Sequence, residues 1–186
     1  MAGLLSCTLL LPLLSQSPLA LETHVTEIGR FTLTYTLEWI TPRRAHVLAY
    51  IMIPASPEEV WSVCTDYDHL SEFIPNLTLS KVIRREGHLV YLRQEGGIQF
   101  PFYRKTMKVT FRVKEIPGET VYFEAAEGDF VIYQGNWRLE AQQEGTLILY
   151  EATVEPNFWM PKWVMNELEC QTMKNTFRAL IKRCLA

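Results

Sequence analysis

Most of the features that would announce a function are missing from this chain. No apolar run approaches the roughly 20 residues that a membrane-spanning helix needs, so none is expected. HExxH, GxSxG and glycine-rich phosphate-loop motifs are all absent, which removes zinc-peptidase, nucleophile-elbow and P-loop chemistry. The four histidines, His24, His46, His69 and His88, are scattered and form no pattern tied to proton transfer or metal binding. Cysteine is scarce: Cys7, Cys64, Cys170 and Cys184 include no CxxC pair, and no metal site or cofactor is expected. Positive charge is not in excess, since 18 Lys and Arg face 21 Asp and Glu for a net charge of -3. Nothing therefore attracts a polyanion globally, and nucleic acid is not the expected partner. There is no internal repeat and no low-complexity tract.

What is present is apolar. Hydrophobic residues make up 48% and aromatic residues 12% of 186 positions, enough to bury the core of one domain. The first 20 residues, "MAGLLSCTLLLPLLSQSPLA", carry a mostly apolar run from Leu4 to Leu14 and end in small and polar residues. This is the shape of a signal peptide, although no Lys or Arg precedes the run. The expectation is an exported or periplasmic protein if the leader acts as one, and a cytoplasmic protein otherwise. Cys170 and Cys184 on one helix would stand about 21 Å apart, too far to bridge; Cys64 with Cys170 remains open, and buried thiols are the simpler expectation.

Residues 21–45 read as an extension with one strand, "RFTLTYTLEWI" (30 to 40), in which Phe31, Leu33, Tyr35 and Leu37 alternate with threonines. A second strand, "AHVLAYIMIP", opens the main domain at 46–186. In "SPEEVW" Ser56 is positioned to cap a helix, Pro57 suits its first turn, and Glu59 completes a capping box. Asp66 or Asp68 is placed to start a second short helix that Pro75 stops. Five or six strands follow between Leu77 and Glu155, punctuated by glycine turns. In "YRKTMKVTFRVK" Tyr103, Met107, Val109, Phe111 and Val113 share one face, with Lys105 breaking the pattern, so that pairing is expected to begin after it. The last 27 residues repeat Cys170, Met173, Phe177, Leu180, Ile181 and Cys184 at helical steps, with Trp163 two turns earlier. Such an order gives an α+β domain in which a curved antiparallel sheet wraps around a long C-terminal helix.

Three stretches carry a resemblance: "IPASPEEVWSVCTDYDHLSEFIPNLTLSKVI" (53 to 83), "EGDFVIYQGNWRLE" (127 to 140) and "GTLILYEATVEPNFWMPKWV" (145 to 164). They are similar to the START-like (SRPBCC) superfamily, which includes polyketide cyclases, coenzyme-Q-binding proteins and ribosome-association toxins. The resemblance spans about residues 46 to 186. It implies a helix-grip fold and a cavity for a lipid, quinone or polyketide-like molecule, with only some members enzymes, so fold alone does not settle function.

For the cavity wall the alternation selects Met107, Val109, Phe111, Phe123, Trp137, Leu139 and Tyr150 from the sheet, with Met173 and Phe177 from the helix; any tight core would bury the same residues. Gln94, Tyr133 and Glu151 are candidate polar anchors. Two dense apolar loops, "GGIQFPFY" with Ile98, Phe100 and Phe102, and "NFWMPKW" with Phe158, Trp159 and Trp163, suggest a portal or a transient membrane contact, the competing reading being a plugged core end. Three function classes stay open: binding or transport of a hydrophobic small molecule, a cyclase or aromatase that mainly shapes its substrate, and a protein- or ribosome-interaction module. No catalytic residues are identified. The third class rests on the basic residues Lys81, Arg84, Arg85, Arg104, Lys108, Arg112 and Lys114, which strand-neighbour pairing with Glu124, Glu140 and Glu151 would equally explain.

Overall fold

The computed structural model describes residues 21–100 and 103–186, apart from the side chains at 21, 22, 98–100, 103, 162, 169 and 170. The leader at 1–20 therefore lies outside the described residues. Strands β1 (Leu21–Ile28), β2 (Phe31–Trp39) and β3 (Ala45–Ile53) are followed by helices α1 (Pro57–Cys64) and α2 (Leu70–Phe73), with a single 3₁₀ turn, Tyr67–His69, between them. Six strands follow: β4 (Leu77–Glu86), β5 (Leu89–Phe100), β6 (Tyr103–Ile116), β7 (Thr120–Gly128), β8 (Phe130–Gln142) and β9 (Gly145–Pro156); α3 (Lys162–Cys184) closes the chain.

All nine strands form one antiparallel sheet in the order β1-β2-β3-β9-β8-β7-β6-β5-β4. Period-2 alternation explains the faces: on β2, Leu33, Tyr35, Leu37 and Trp39 are buried, and on β9 Ile148, Tyr150, Ala152 and Val154 are buried. Register shifts at Leu77/Leu79, Val82/Arg84 and Thr110/Phe111 bend the sheet. Gly135 lets β8 press against β9, because a Cβ there would run into the Glu151 carbonyl oxygen. The curved sheet grips α3 through Met173, Phe177, Leu180 and Ile181, all buried.

The capping box forms as the sequence indicates. Ser56 Oγ accepts from the Glu59 amide, and the Glu59 carboxylate accepts from the Ser56 amide at 2.8 Å. Four expectations change. The 21–45 segment holds two strands, not one: β1 and β2 form a hairpin around Gly29, whose φ of 65° suits the tight turn. Its last buried residue, Trp39, donates from Nε1 to Asn166 Oδ1 of α3 at 3.0 Å, so the hairpin is part of the bed beneath the helix. Pairing of β6 begins at Tyr103, with Ile98 opposite Lys105; Lys105 keeps its place in the ladder because its ammonium reaches the Phe158 ring, 4.5 Å away, and Asp129. Trp163 is 64% exposed, since Val164 and Met165 take the buried positions of the first turn of α3. Neither aspartate caps the second short helix: Asp66 lies 2.6 Å from His69 Nδ1, and Asp68 accepts from the Val82 amide, tying the 3₁₀ turn to β4.

Candidate functional site

The apolar residues buried inside the sheet fall into two clusters, one joining β1–β3, β8, β9 and α3, the other joining β5–β7 and Tyr67. Between them lies a cavity of about 290 Å³, at the lower end of the range that takes small ligands. Its sheet wall carries Met107, Val109 and Phe111 of β6, Phe123 of β7, Trp137 of β8 and Tyr150 of β9, and Met173 faces them from α3. The aromatics brace one another. Phe111 meets Phe123 edge-on at 5.6 Å and Tyr133 at 5.1 Å, and Trp137 lies 4.6 Å from Tyr150.

Two of the nine residues selected from the sequence do not reach the cavity. Leu139 is buried in the larger cluster, and Phe177 is fully buried against Trp137, 5.6 Å away. Among the polar candidates Gln94 and Tyr133 line the wall, whereas Glu151 points outward to His46 and Asn136, because its strand neighbours Tyr150 and Ala152 hold the inner face. On the helical side sequence reasoning selected Met173 but missed Leu168, Thr172, Thr176 and Leu180, which line the cavity at four-residue steps. That spacing is a helical signal, and the two threonines disguised it. Leu70 and Ile74, after the 3₁₀ turn, complete this side.

Pro75, Asn76 and Thr172 line the cavity and are also exposed, so it opens between the β4–β5 end, with Gly96 and Gly97, and the first half of α3. Of the residues expected at a portal, Phe102 lies outside the described residues, as do the side chains of Ile98 and Phe100. Phe158 is half-buried, while Trp159 and Trp163 are 75% and 64% exposed and do not line the cavity. Neither tryptophan plugs the core. Trp163 precedes Leu168 by five residues, about 8 Å along the helix axis.

The cavity wall is poor in reactive groups. No His, Asp, Glu, Lys or Arg lines it among the described residues. Cys64 does, but burial and then the neighbouring Cys184 push its thiol up to about 12, and burial raises Cys184 to about 11. Both are free thiols that stay protonated at neutral pH. No cluster able to hold a metal ion occurs among the described residues. The chemistry offered is apolar enclosure with a few hydrogen-bonding groups.

A larger and more open groove, about 570 Å³, lies on the outer face between Arg112, Lys114, Tyr122, Glu124, Asn136 and Glu151; its charged rim gives an apolar molecule little reason to leave water. The basic residues of that face are largely matched. Lys81 pairs with Asp68 at 3.3 Å, Arg84 with Glu86 at 3.2 Å, Lys108 with Glu95 at 3.6 Å, and Arg112 with Glu124. Glu140 and Glu151 are taken by Arg138 and His46 instead. Among the described residues this pairing offsets most of the positive charge of that face.

Residues 53–181 match the family model described as "Polyketide cyclase / dehydrase and lipid transport". No curated protein matches the chain. Among solved structures, the STAR-related lipid transfer protein from Xanthomonas axonopodis aligns with a TM-score of 0.72 at 16% identity, over 89% of this chain and 99% of that one. The human StAR-related lipid transfer protein 5 gives 0.66 at 12% identity, over 87% and 85%. The Zhui aromatase/cyclase from Streptomyces sp. R1128 gives 0.62 at 14% identity, over 76% and 93%. At these identities the likeness is one of fold: the curved sheet and C-terminal helix are the START-like helix-grip architecture.

Proposed function

The chain belongs to the polyketide cyclase / dehydrase and lipid transport family, and on that footing we propose that it binds one compact hydrophobic molecule between the sheet and α3 and carries it. The observation behind this reading is the apolar cavity of about 290 Å³. Apolar surface moved from water to that wall gains about 25 cal/mol per Å². The volume favours a single-chain or ring-type lipophile over a two-chain phospholipid. The absence of His, Asp, Glu, Lys and Arg from the described wall weighs against a cyclase that depends on proton transfer near neutral pH.

Native mass spectrometry of protein purified from its own host, followed by organic extraction, is expected to find a lipophile at one per chain. An empty protein that takes up no lipophile on titration would overturn the reading.

Exchange with a membrane fits the two exposed tryptophans, Trp159 and Trp163, since indole rings favour the water–lipid boundary. No helix among the described residues is long and apolar enough to cross a membrane, so the contact is superficial. Replacing both tryptophans by serine is expected to slow transfer of a fluorescent lipophile between vesicles by about fivefold, with affinity in solution unchanged within about twofold. An unchanged transfer rate would remove the membrane contact and leave the cavity reading in place.

A further inference from the structure

The nine-stranded sheet has two edges, β1 and β4, and they differ. At the β4 edge the ladder to β5 shifts register twice, at Leu77/Leu79 and Val82/Arg84. Lys81, Arg84 and Arg85 lie along it, all exposed, and the Val82 amide already donates to Asp68 Oδ1 at 2.9 Å. Bulges, cations and a covered amide are what keep a sheet edge from adding a further strand. The β1 edge is built differently. Its sequence, LETHVTEI, contains no Lys, Arg or Pro, and it pairs with β2 without a shift from Leu21 to Ile28. Among the described residues, no backbone group outside β2 bonds to Thr23, Val25, Thr26 or Glu27.

The outward face beside this edge is uncharged as well. Val25 is 66% exposed, and the cross-strand row that starts from it runs through Thr34 of β2, Tyr50 of β3 and Leu149 of β9. Tyr50 and Leu48, next to each other on that face of β3, are both about half exposed. The outward positions of β6, by contrast, hold Arg104, Lys108, Arg112 and Lys114.

We propose that two copies of this chain pair through β1, joining their sheets edge to edge in a two-fold dimer. A regular, open edge accepts an added strand through its main-chain groups, and a second β1 fits it. A two-fold axis normal to the sheet at Val25 sets residues 22–28 antiparallel to residues 28–22 of the other copy and keeps inner and outer faces in place. Val25 then meets Val25 of the second copy, His24 lies opposite Thr26, and Glu27 lies opposite Thr23, so no like charges face each other. The uncharged row becomes continuous from Tyr50 of one copy to Tyr50 of the other. Such a contact is isologous and closes at two copies, because the edges left outside are the β4 edges with their bulges and cations. One strand per copy is a small interface, so the dimer is concentration-dependent. Neither the cavity nor its ligand takes part.

Sedimentation velocity on the full chain, from about 1 to 200 µM, is expected to show dimer by about 50 µM. Val25→Lys places two cations opposite each other at the axis and should raise the dimer Kd at least about tenfold. Ile83→Lys, at a comparably exposed position on the β4 edge, should leave it within about twofold, with circular dichroism of both variants matched to the wild type. Val25→Cys is expected to form a covalent dimer on treatment with diamide. Thr23→Cys, about 14 Å from its own copy in this register, should not exceed the wild-type background. A chain that stays monomeric throughout would overturn the proposal. So would a dimer that Val25→Lys leaves intact, as contact through residues 1–20 would give, or one that Ile83→Lys weakens instead. Cross-linking through Thr23→Cys in place of Val25→Cys would overturn the two-fold at Val25.

Discussion

Phe111→Asp is expected to abolish retention of a hydrophobic ligand. Phe111 is 5% exposed and meets Phe123 and Tyr133 edge-on across the cavity wall. A carboxylate there either stays ionised beside the ligand or takes up a proton at a free-energy cost, and both outcomes weaken binding by about 2–3 kcal/mol, a Kd about 30- to 150-fold higher. Because a buried acid can also unfold the domain, Met107→Trp serves as the second variant: it fills the cavity from the same strand without adding charge. Lys108→Ala lies between them on the outer face and should leave the Kd within about twofold. Titration with a fluorescent lipophile on samples of matched circular dichroism gives the readout. A folded Phe111→Asp and a folded Met107→Trp that both bind like the wild type would show that the ligand, if any, lies elsewhere.

Much of this arrangement was legible in the residues. Alternation in "YRKTMKVTFRVK" placed Met107, Val109 and Phe111 on one face, and the capping box at Ser56 and Glu59 marked the start of α1, because both are local patterns with a fixed period or spacing. The same alternation carries on to Glu115, so an inward charge could have been read there too. Strand β1 was harder: it is an edge strand whose Val25 faces solvent at 66% exposure, leaving little apolar contrast along its length. The cavity itself was not legible. A void is what side chains fail to fill, and the difference between Phe177, packed tight, and Phe111, facing open space, arises only when the sheet curvature and the height of α3 are set.

The second large effect concerns the hairpin. The family match covers 53–181, yet Leu33, Tyr35, Leu37 and Trp39 are each at most 2% exposed and belong to the same cluster as Met165 and Phe177. Trp39→Ala is expected to cost about 3–5 kcal/mol, the usual range for emptying so large a buried side chain, and to lower Tm by about 6–20 °C. The loss includes the hydrogen bond to Asn166, which fixes the approach of α3. Val25→Ala, on the exposed side of the hairpin, should change stability by less than about 0.5 kcal/mol. Thermal unfolding followed by circular dichroism measures both. A Tm for Trp39→Ala indistinguishable from that of the wild type would make the hairpin an appendage.

One feature of the strand order bears on how the protein is made. Every neighbouring pair in the sheet is consecutive in the chain except β3 and β9, which meet from Ala45 opposite Val154 to Ile53 opposite Thr146. As the chain leaves the ribosome, β1, β2 and β3 can pair at once, but the outer edge of β3 has no partner until β9 has been synthesised. Through that interval Val47, Ala49 and Ile51 stand on an open sheet edge with their apolar side uncovered, and the helix that will cover them comes last of all. The segment left open to misassociation during synthesis is therefore one that ends buried between neighbours in the finished sheet.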